Sequence, residues 1–330
     1  MKVAVLLPFR DVSRWLDAAI RSVRTEACVG RIVLVDDGSI DASGTIAQRH
    51  ARDDARIAIL QTGGVGIVRA LEAGRASCRS EFIARMDGDD VSIAGRIACQ
   101  VEALEADATL GAVGCQVEAF PAPEEGLARY LAWQNALLTP SDHAYARFIE
   151  SPLCHPSVTL RASAVEQVGG YREGDFPEDY DLWLRLMAAG FSLAKLDGVM
   201  LRWRRHEAQL TFTDARYTRP AFRRTKALHL AARVKQEPAF LIWGAGPTGR
   251  RLAGALRAHD AWPMAFIDID PLKVGQTKLG GARVESPSIL DVTPRPFIVV
   301  AVGVRGAREI IRAQLDARAL IEGRDYLFAS

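Results

Sequence analysis

The chain has 330 residues, 49% of them hydrophobic and 25% charged, which is the composition of a globular protein long enough for two domains. Its net charge of +2 is too balanced to mark nucleic acid as the main partner. The five cysteines (Cys28, Cys78, Cys99, Cys115, Cys154) are dispersed with no Cys-x-x-Cys pair, which argues against a thiol metal site and fits a reducing cytoplasm better than a disulfide framework. No run approaches the roughly 20 apolar residues of a membrane span, so any membrane association is expected to be peripheral.

Residues 3–7 form an apolar, β-branched run ended by Pro8 and read as a buried strand. A helix follows, with Trp15, Ala18, Ala19 and Val23 at helical spacing and Asp11 or Ser13 as its cap. A second strand at 31–35 ends in Asp36-Asp37-Gly38-Ser39. Strand, helix, strand predicts a parallel βαβ unit, in which ligands bind beyond the carboxyl ends of the strands. There Asp36 and Asp37 can accept hydrogen bonds from a base or ribose, Gly38 permits the turn, and Ser39 or Asp41 caps the next helix. A third strand at 57–60 leads into the glycine-rich Thr62-Gly63-Gly64-Val65-Gly66, which lets backbone approach a ligand. Arg69, on the helix after it, has two readings: a phosphate contact or a solvated side chain, with the balance toward solvent.

The fourth strand, 82–86, ends in Asp87-Gly88-Asp89-Asp90. Three carboxylates in four positions repel one another and resist losing water, so they need either full solvation or a cation between them. Their convergence with Asp36 and Asp37 on one predicted sheet edge favours the cation. Mg²⁺-like ions take one or two carboxylates plus substrate phosphates.

The ordered runs Val35-Asp36-Asp37-Gly38-Ser39, Gly66 to Gly74, and Ala84-Arg85-Met86-Asp87-Gly88-Asp89-Asp90 resemble the family 2 glycosyltransferases of GT-A fold. The match continues through Cys154-His155-Pro156-Ser157, Gly169-Gly170-Tyr171-Arg172 and Pro177-Glu178-Asp179-Tyr180-Asp181. It covers roughly residues 1–212. The resemblance implies that Pro8 and Asp37 hold the nucleoside of a nucleotide-sugar, and Asp36 and Gly66, from the strand edge and the glycine-rich loop, join them as donor-binding candidates. It also implies that Asp87 faces the donor, that Asp89 holds Mn²⁺ or Mg²⁺, and that Asp179 is the catalytic base of an inverting displacement. His206 matches a histidine often found here in family members, for which a metal or phosphate ligand role is the less favoured reading, and Asp90 is left without an assigned role, orienting its neighbours being one option. For His155, structural and ligand roles stand equal, and Tyr130 and Trp133 are unassigned acceptor candidates. Glu178 and Asp179 also suit the positive end of a helix dipole.

Arg69 and Glu72 depart from the family pattern, which commonly has a small residue and an asparagine there. Arg202-Trp203 is similar to the end of the Gln-x-x-Arg-Trp motif of processive synthases, but Val199 replaces the glutamine. The expectation is a non-processive enzyme that adds one sugar.

Residues 213–237 read as a basic linker, with a helix at 221–234 whose apolar side carries Phe222, Ala227, Leu228 and Leu230. Its charges form a solvated face or, less favoured, a surface for anionic lipid. Residues 238–330 then show Gly244-Ala245-Gly246-Pro247-Thr248-Gly249 between a strand and a helix, with Asp268 about 20 positions on. This predicts a small Rossmann-like α/β domain with a candidate dinucleotide site at Gly244, Gly246, Gly249 and Asp268, but Pro247 removes a backbone donor there, and the balance is toward a structural, acceptor-orienting or oligomerising module.

The leading expectation is a glycosyltransferase using a nucleotide-sugar, with UDP-sugar favoured, and a saccharide or lipid-linked saccharide acceptor in bacterial surface glycan assembly. Such a chain would work in the cytoplasm at the inner face of the membrane. The alternative is a dinucleotide-linked oxidoreductase or redox sensor built on residues 238–330, and a non-catalytic sugar-nucleotide sensor is a third.

Overall fold

In the computed structural model, which describes residues 2–291 and 294–330, the first strand β1 (Val3–Phe9) is buried at every position. Its sequence carries no polar side chain, as a strand covered on both faces requires. Pro8 does not end it. The ladder to β4 (Phe82–Arg85) stops at Leu6–Arg85, so beyond that point the proline has no partner to which it owes an N–H.

Between these strands run α1 (Ser13–Arg24), β2 (Val29–Asp36), α2 (Ser43–Asp53), β3 (Ile57–Gln61) and α3 (Ile67–Cys78). The order β3-β2-β1-β4 is parallel throughout, so the carboxyl ends of β1, β2 and β4 open on one edge. After β4 come β5 (Val91–Ser92), α4 (Arg96–Ala106), β6 (Leu110–Phe120), α5 (Glu125–Asn135) and α6 (Pro140–Ala146). A 3₁₀ turn at His155–Ser157 precedes β7 (Thr159–Arg161), α7 (Ala162–Gln167), α8 (Glu178–Ala188), β8 (Ser192–Arg204) and α9 (Leu210–Thr213). The sheet continues β4-β7-β6-β8-β5, eight strands among the described residues, with β7 and β5 antiparallel to their neighbours. β5 pairs Val91 with Arg202, which brings the end of β8 beside the Asp87–Asp90 turn.

The chain divides into two units, Met1–His143 with Pro152–Asp214, and Ala144–Ser151 with Ala215–Ser330. In the second, α10 (Arg219–Val234) precedes β9 (Phe240–Trp243), α11 (Pro247–Arg257), β10 (Ala265–Ile267), β11 (Arg283–Glu285), β12 (Phe297–Val300), α12 (Ala307–Asp316) and β13 (Tyr326–Phe328). The parallel order β11-β10-β9-β12-β13 is that of a doubly wound fold.

The helix expected as a linker is an element of this unit. It buries Ala221, Thr225, Ala227, Leu230, Ala231 and Val234, while Leu228, expected on the apolar side, is exposed. Beside that face the Lys226 ammonium donates to the carbonyls of Ile149 and Ala329, both at 2.8 Å, fastening segment 144–151 and the chain end to α10. Burial pushes this lysine's pKa down to about 8.

Candidate functional site

The carboxyl ends of β1, β2 and β4 deliver the site. One oxygen each of Asp87, Asp89 and Asp90 can be chosen so that all three lie within 4.8 Å of one another. Each of the three has its own environment. Asp87 Oδ1 accepts from Arg85 Nη2 at 2.7 Å. Asp89 Oδ2 lies 2.8 Å from His206 Nε2, and the His206 ring stacks on Trp15 at 4.1 Å between centroids. Asp90 is 1% exposed, with Oδ1 accepting the Arg204 backbone N–H at 2.7 Å and Oδ2 without a hydrogen-bond partner. Burial and the negative charge of its neighbours hold the Asp90 carboxyl well above the ordinary range. Asp87 is raised too, chiefly by desolvation, with Arg85 opposing.

The donor set is all oxygen, crowded, and includes an orphaned buried carboxylate oxygen. A hard divalent cation fits that chemistry. Arg204 stitches the end of β8 onto the motif, since its Nε donates to the Asp89 carbonyl at 2.7 Å. Its guanidinium lies 4.4 Å from the Phe120 ring centre and 5.6 Å from that of Trp15. Gln209 holds the turn beyond it, donating to the Arg204 carbonyl at 2.7 Å and accepting the His206 N–H at 3.2 Å.

On the neighbouring strand ends, Asp36 and Asp37 are both 6% exposed. Asp36 Oδ1 accepts the Ser39 N–H at 2.9 Å and so holds its own turn. Asp37 accepts from Thr62 Oγ1 at 2.7 Å, Val65 N at 2.8 Å and Gly66 N at 2.9 Å. Its carboxylate therefore organises the glycine-rich loop. Gly38 closes the wall, because a Cβ there would stand 2.8 Å from Gly64 N. Pro8 is buried in β1, and the adjacent Phe9 carbonyl accepts the Asp37 N–H at 3.0 Å. Arg69 sits in an exposed ion pair with Glu173 at 2.8 Å, on the solvent side of its two readings.

Asp179 is the second residue of α8, half-buried, with Glu178 beside it 2% exposed. Its Oδ1 accepts the Tyr180 N–H at 2.6 Å. Burial first, and the Glu178 charge second, push its pKa up to about 8. The helix start is anchored by Asp181, which receives Arg172 at 2.5 Å and Arg185 at 2.8 Å. His155 is buried, with Nε2 2.7 Å from the Tyr171 hydroxyl and Nδ1 3.8 Å from Glu178 Oε1. Desolvation and nearby Arg85 keep the imidazole neutral. Glu72, a departure from the family pattern, accepts the Tyr171 N–H at 2.6 Å and ties α3 to this array.

Sequence reading passed over Arg85, Arg96, Glu178 and Tyr171 as site-builders. The one signal for Arg85 was a charge inside an apolar strand run. Tyr130 and Trp133 lie on α5 with ring centres 5.8 Å apart.

In the second unit, β9 runs into Gly244 and the helix α11, and a Cβ on Gly249 would stand 1.8 Å from the Gly244 carbonyl oxygen, so helix and turn pack as a dinucleotide fold requires. The ligand side does not match. Asp268 Oδ2 accepts the Ala245 N–H at 3.1 Å, while Oδ1 accepts the Asp270 N–H at 3.0 Å. Lys273 Nζ lies within 3.3 Å of both oxygens. Asp268 is thus engaged by the glycine-rich turn and by its own loop, and Pro247 offers no N–H at the helix start.

Residues 4–169, half of the chain, match the family described as glycosyl transferase family 2. "Amylovoran biosynthesis glycosyltransferase AmsE" of Erwinia amylovora is 32% identical over 175 residues, which are 52% of this chain and 64% of that protein. "UDP-Gal:alpha-D-GlcNAc-diphosphoundecaprenol beta-1,3-galactosyltransferase" of Escherichia coli is 22% identical over 207 residues, 61% of this chain and 73% of that one. Among solved structures, S. aureus TarS 1-349 in complex with UDP-GlcNAc superposes with a TM-score of 0.57 at 15% identity, covering 78% of this chain and 72% of that one. Mannosyltransferase PcManGT from Pyrobaculum calidifontis in complex with GDP-Man and Mn2+ gives 0.51 at 17%, covering 78% and 75%. These two likenesses show a shared fold. Because that family model matches half of the chain, the chain belongs to glycosyl transferase family 2.

Proposed function

We propose that this chain is a metal-dependent, inverting, non-processive glycosyltransferase. It moves one sugar from a nucleotide diphosphate-sugar, a UDP-sugar in our reading, to a hydroxyl of a lipid-linked saccharide in bacterial surface polysaccharide assembly. The observation that carries it is the Asp87, Asp89 and Asp90 oxygen cluster at the same sheet edge as the Asp37-held loop. The UDP-GlcNAc and GDP-Man complexes of the structural neighbours support the donor class, and the printed name of the Escherichia coli relative supports the acceptor class.

Asp89 and the orphaned oxygen of Asp90 would hold Mn²⁺ or Mg²⁺, with His206 steering Asp89. The ion supplies positive charge against the diphosphate leaving group. Asp87 faces the donor sugar and ribose. Pro8, Asp36, Asp37 and Gly66 line the nucleoside side, Asp37 through the loop it holds. The unbound Nη atoms of Arg204 are available to phosphate oxygens, a role Arg202 does not share because it faces Glu118 at 3.7 Å. Asp179 takes the proton of the acceptor hydroxyl as its oxygen attacks the anomeric carbon, and the nucleoside diphosphate leaves with the bonding pair. One base and no second nucleophile means inversion.

The test is nucleoside diphosphate release from a panel of UDP- and GDP-sugars with a lipid-diphosphate saccharide, with and without Mn²⁺. Chelation and Asp89→Ala are expected to abolish turnover, and Asp179→Asn to lower it roughly 10²–10⁴-fold. Full activity in both variants rejects the mechanism. The oxidoreductase alternative has no support in the Asp268 geometry, and calorimetry with NAD and NADP on the full chain is expected to show no binding.

A further inference from the structure

The turn beyond β8 holds large apolar side chains in water. Leu210, which opens α9, is 43% exposed, and Phe212 on the same turn is 55% exposed. This backbone is not a frayed end. Gln209 is buried just before it, and its carbonyl accepts the Phe212 N–H at 2.9 Å and the Thr213 N–H at 3.2 Å. The Asp214 N–H donates to the Leu210 carbonyl at 2.9 Å. A single exposed apolar side chain is ordinary. Two on a backbone pinned this closely are held out as a surface for something to meet.

Arginines stacked on aromatic rings surround them. The Arg205 guanidinium lies 4.1 Å from the centre of the Phe212 ring and 5.0 Å from that of Trp203, so it joins the turn to the last strand of the sheet. The Arg205 N–H donates to the Phe120 carbonyl at 2.9 Å, and the exposed Arg202 lies 4.5 Å from the Phe120 ring centre. On the far side of Arg204, the exposed Arg14 lies 5.5 Å from the Trp15 ring. The acids beside these arginines are Glu118, 3.7 Å from Arg202, with Glu124 and Glu207. A guanidinium laid flat on a ring keeps its edge donors for outside acceptors, and phosphate oxygens match that fork. Apolar rings beside phosphate-seeking cations suit a boundary between acyl chains and headgroups.

We propose that the Leu210–Thr213 turn, with Arg202 and Arg205, is the face by which this chain rests on an anionic lipid bilayer. Phe212 and Leu210 enter the acyl boundary, and the guanidinia meet headgroup phosphates. The proposal rests on the lipid-linked acceptor of the function proposed above, since such an acceptor is confined to a bilayer. The turn also stands close to the chemistry along the chain. It follows His206, whose Nε2 is 2.8 Å from Asp89, and Gln209 clamps the segment between them. Lipid contact there brings the bilayer beside the carboxylate cluster, where a membrane-borne hydroxyl must arrive.

The experiment is sedimentation of the full chain with vesicles of phosphatidylcholine and phosphatidylglycerol in equal parts, against vesicles of phosphatidylcholine alone. The chain is expected to bind the anionic vesicles, to leave them at high salt, and to ignore the neutral ones. Phe212→Ser and Arg205→Gln are each expected to weaken binding roughly tenfold. Both should leave turnover of a water-soluble acceptor unchanged while raising the KM for a lipid-linked acceptor presented in the vesicles. A wild type that does not bind anionic vesicles overturns the proposal, as does undiminished binding by folded Phe212→Ser. Should that variant not fold, Leu210→Ser decides in its place by the same reading. A dimer that Phe212→Ser dissolves, with no vesicle binding, overturns it in favour of a second copy of the chain. A wild type that binds vesicles yet transfers no sugar instead rejects the proposed function and leaves the surface standing.

Discussion

At the residue scale, the site is a set of carboxylates whose surroundings push them apart. Asp179 has a folded-state pKa of about 8 against an ordinary 3.8, so the folded chain favours its neutral form. The sign follows from linkage: this group's favourable contribution to stability is complete below about pH 4 and is lost as pH rises toward 8. Asp179→Asn cannot ionise, so its melting temperature relative to wild type should climb between pH 4 and pH 8. A difference that stays flat with pH would contradict the burial of this carboxyl. With Asp179 as the base proposed above, the same value puts the expected acid limb of kcat/KM for the free enzyme on the alkaline side of neutrality. Asp90 has a different duty. It ties the Arg204 N–H, so Asp90→Asn is expected to keep the fold while weakening Mn²⁺ activation, read as the metal concentration for half-maximal rate.

At the element scale, capping is shared between helices. Asp41 Oδ2 accepts the Ser13 N–H at 2.9 Å at the start of α1, and Oδ1 accepts the Ser43 N–H at 2.8 Å at the start of α2. Burial raises its pKa, but these hydrogen bonds outweigh burial and hold it down at about 2. Because the folded pKa is depressed, the stabilisation is present above about pH 4 and is lost as pH falls toward 2. Asp41→Ala should cost about 1 kcal/mol at neutral pH by denaturant titration, the worth of a partly exposed cap, and much less near pH 2. The first helix start was expected to rest on Asp11 or Ser13, but its backbone donors are met from the next βα turn. A residue 28 positions away cannot be assigned as a cap from local spacing.

At the scale of the whole molecule, the chain is not divided at a simple linker. Segment 144–151 belongs with residues 215–330, and Lys226 is its fastener. Lys226→Met removes the donor from two carbonyls and should destabilise the second unit by roughly 1–3 kcal/mol per group left unpaired. Hydrogen exchange confined to Ile149 and the Ala329 end would register it, and unchanged protection there would contradict the assignment. No helix among the described residues is long and apolar enough to cross a membrane.

Much of this protein was written locally. Runs such as Val3–Leu7 and Phe82–Met86 specify buried parallel strands by composition alone. The carboxylates at their ends are legible because strand ends of one parallel sheet share an edge. The glycine pattern at 244–249 likewise specified a Rossmann-like turn, since its packing needs no side chain at Gly249. What the sequence could not decide is whom each charged group faces. Asp37 meets Thr62, Val65 and Gly66, Asp90 meets Arg204, Asp268 meets Lys273, and the buried Arg85 meets Asp87. Several of these partners lie tens of residues apart, or more than a hundred, and come together only when the sheet closes. Hydrogen bonding and desolvation depend on that closure, and with them the difference between a free ligand, a loop anchor and a base.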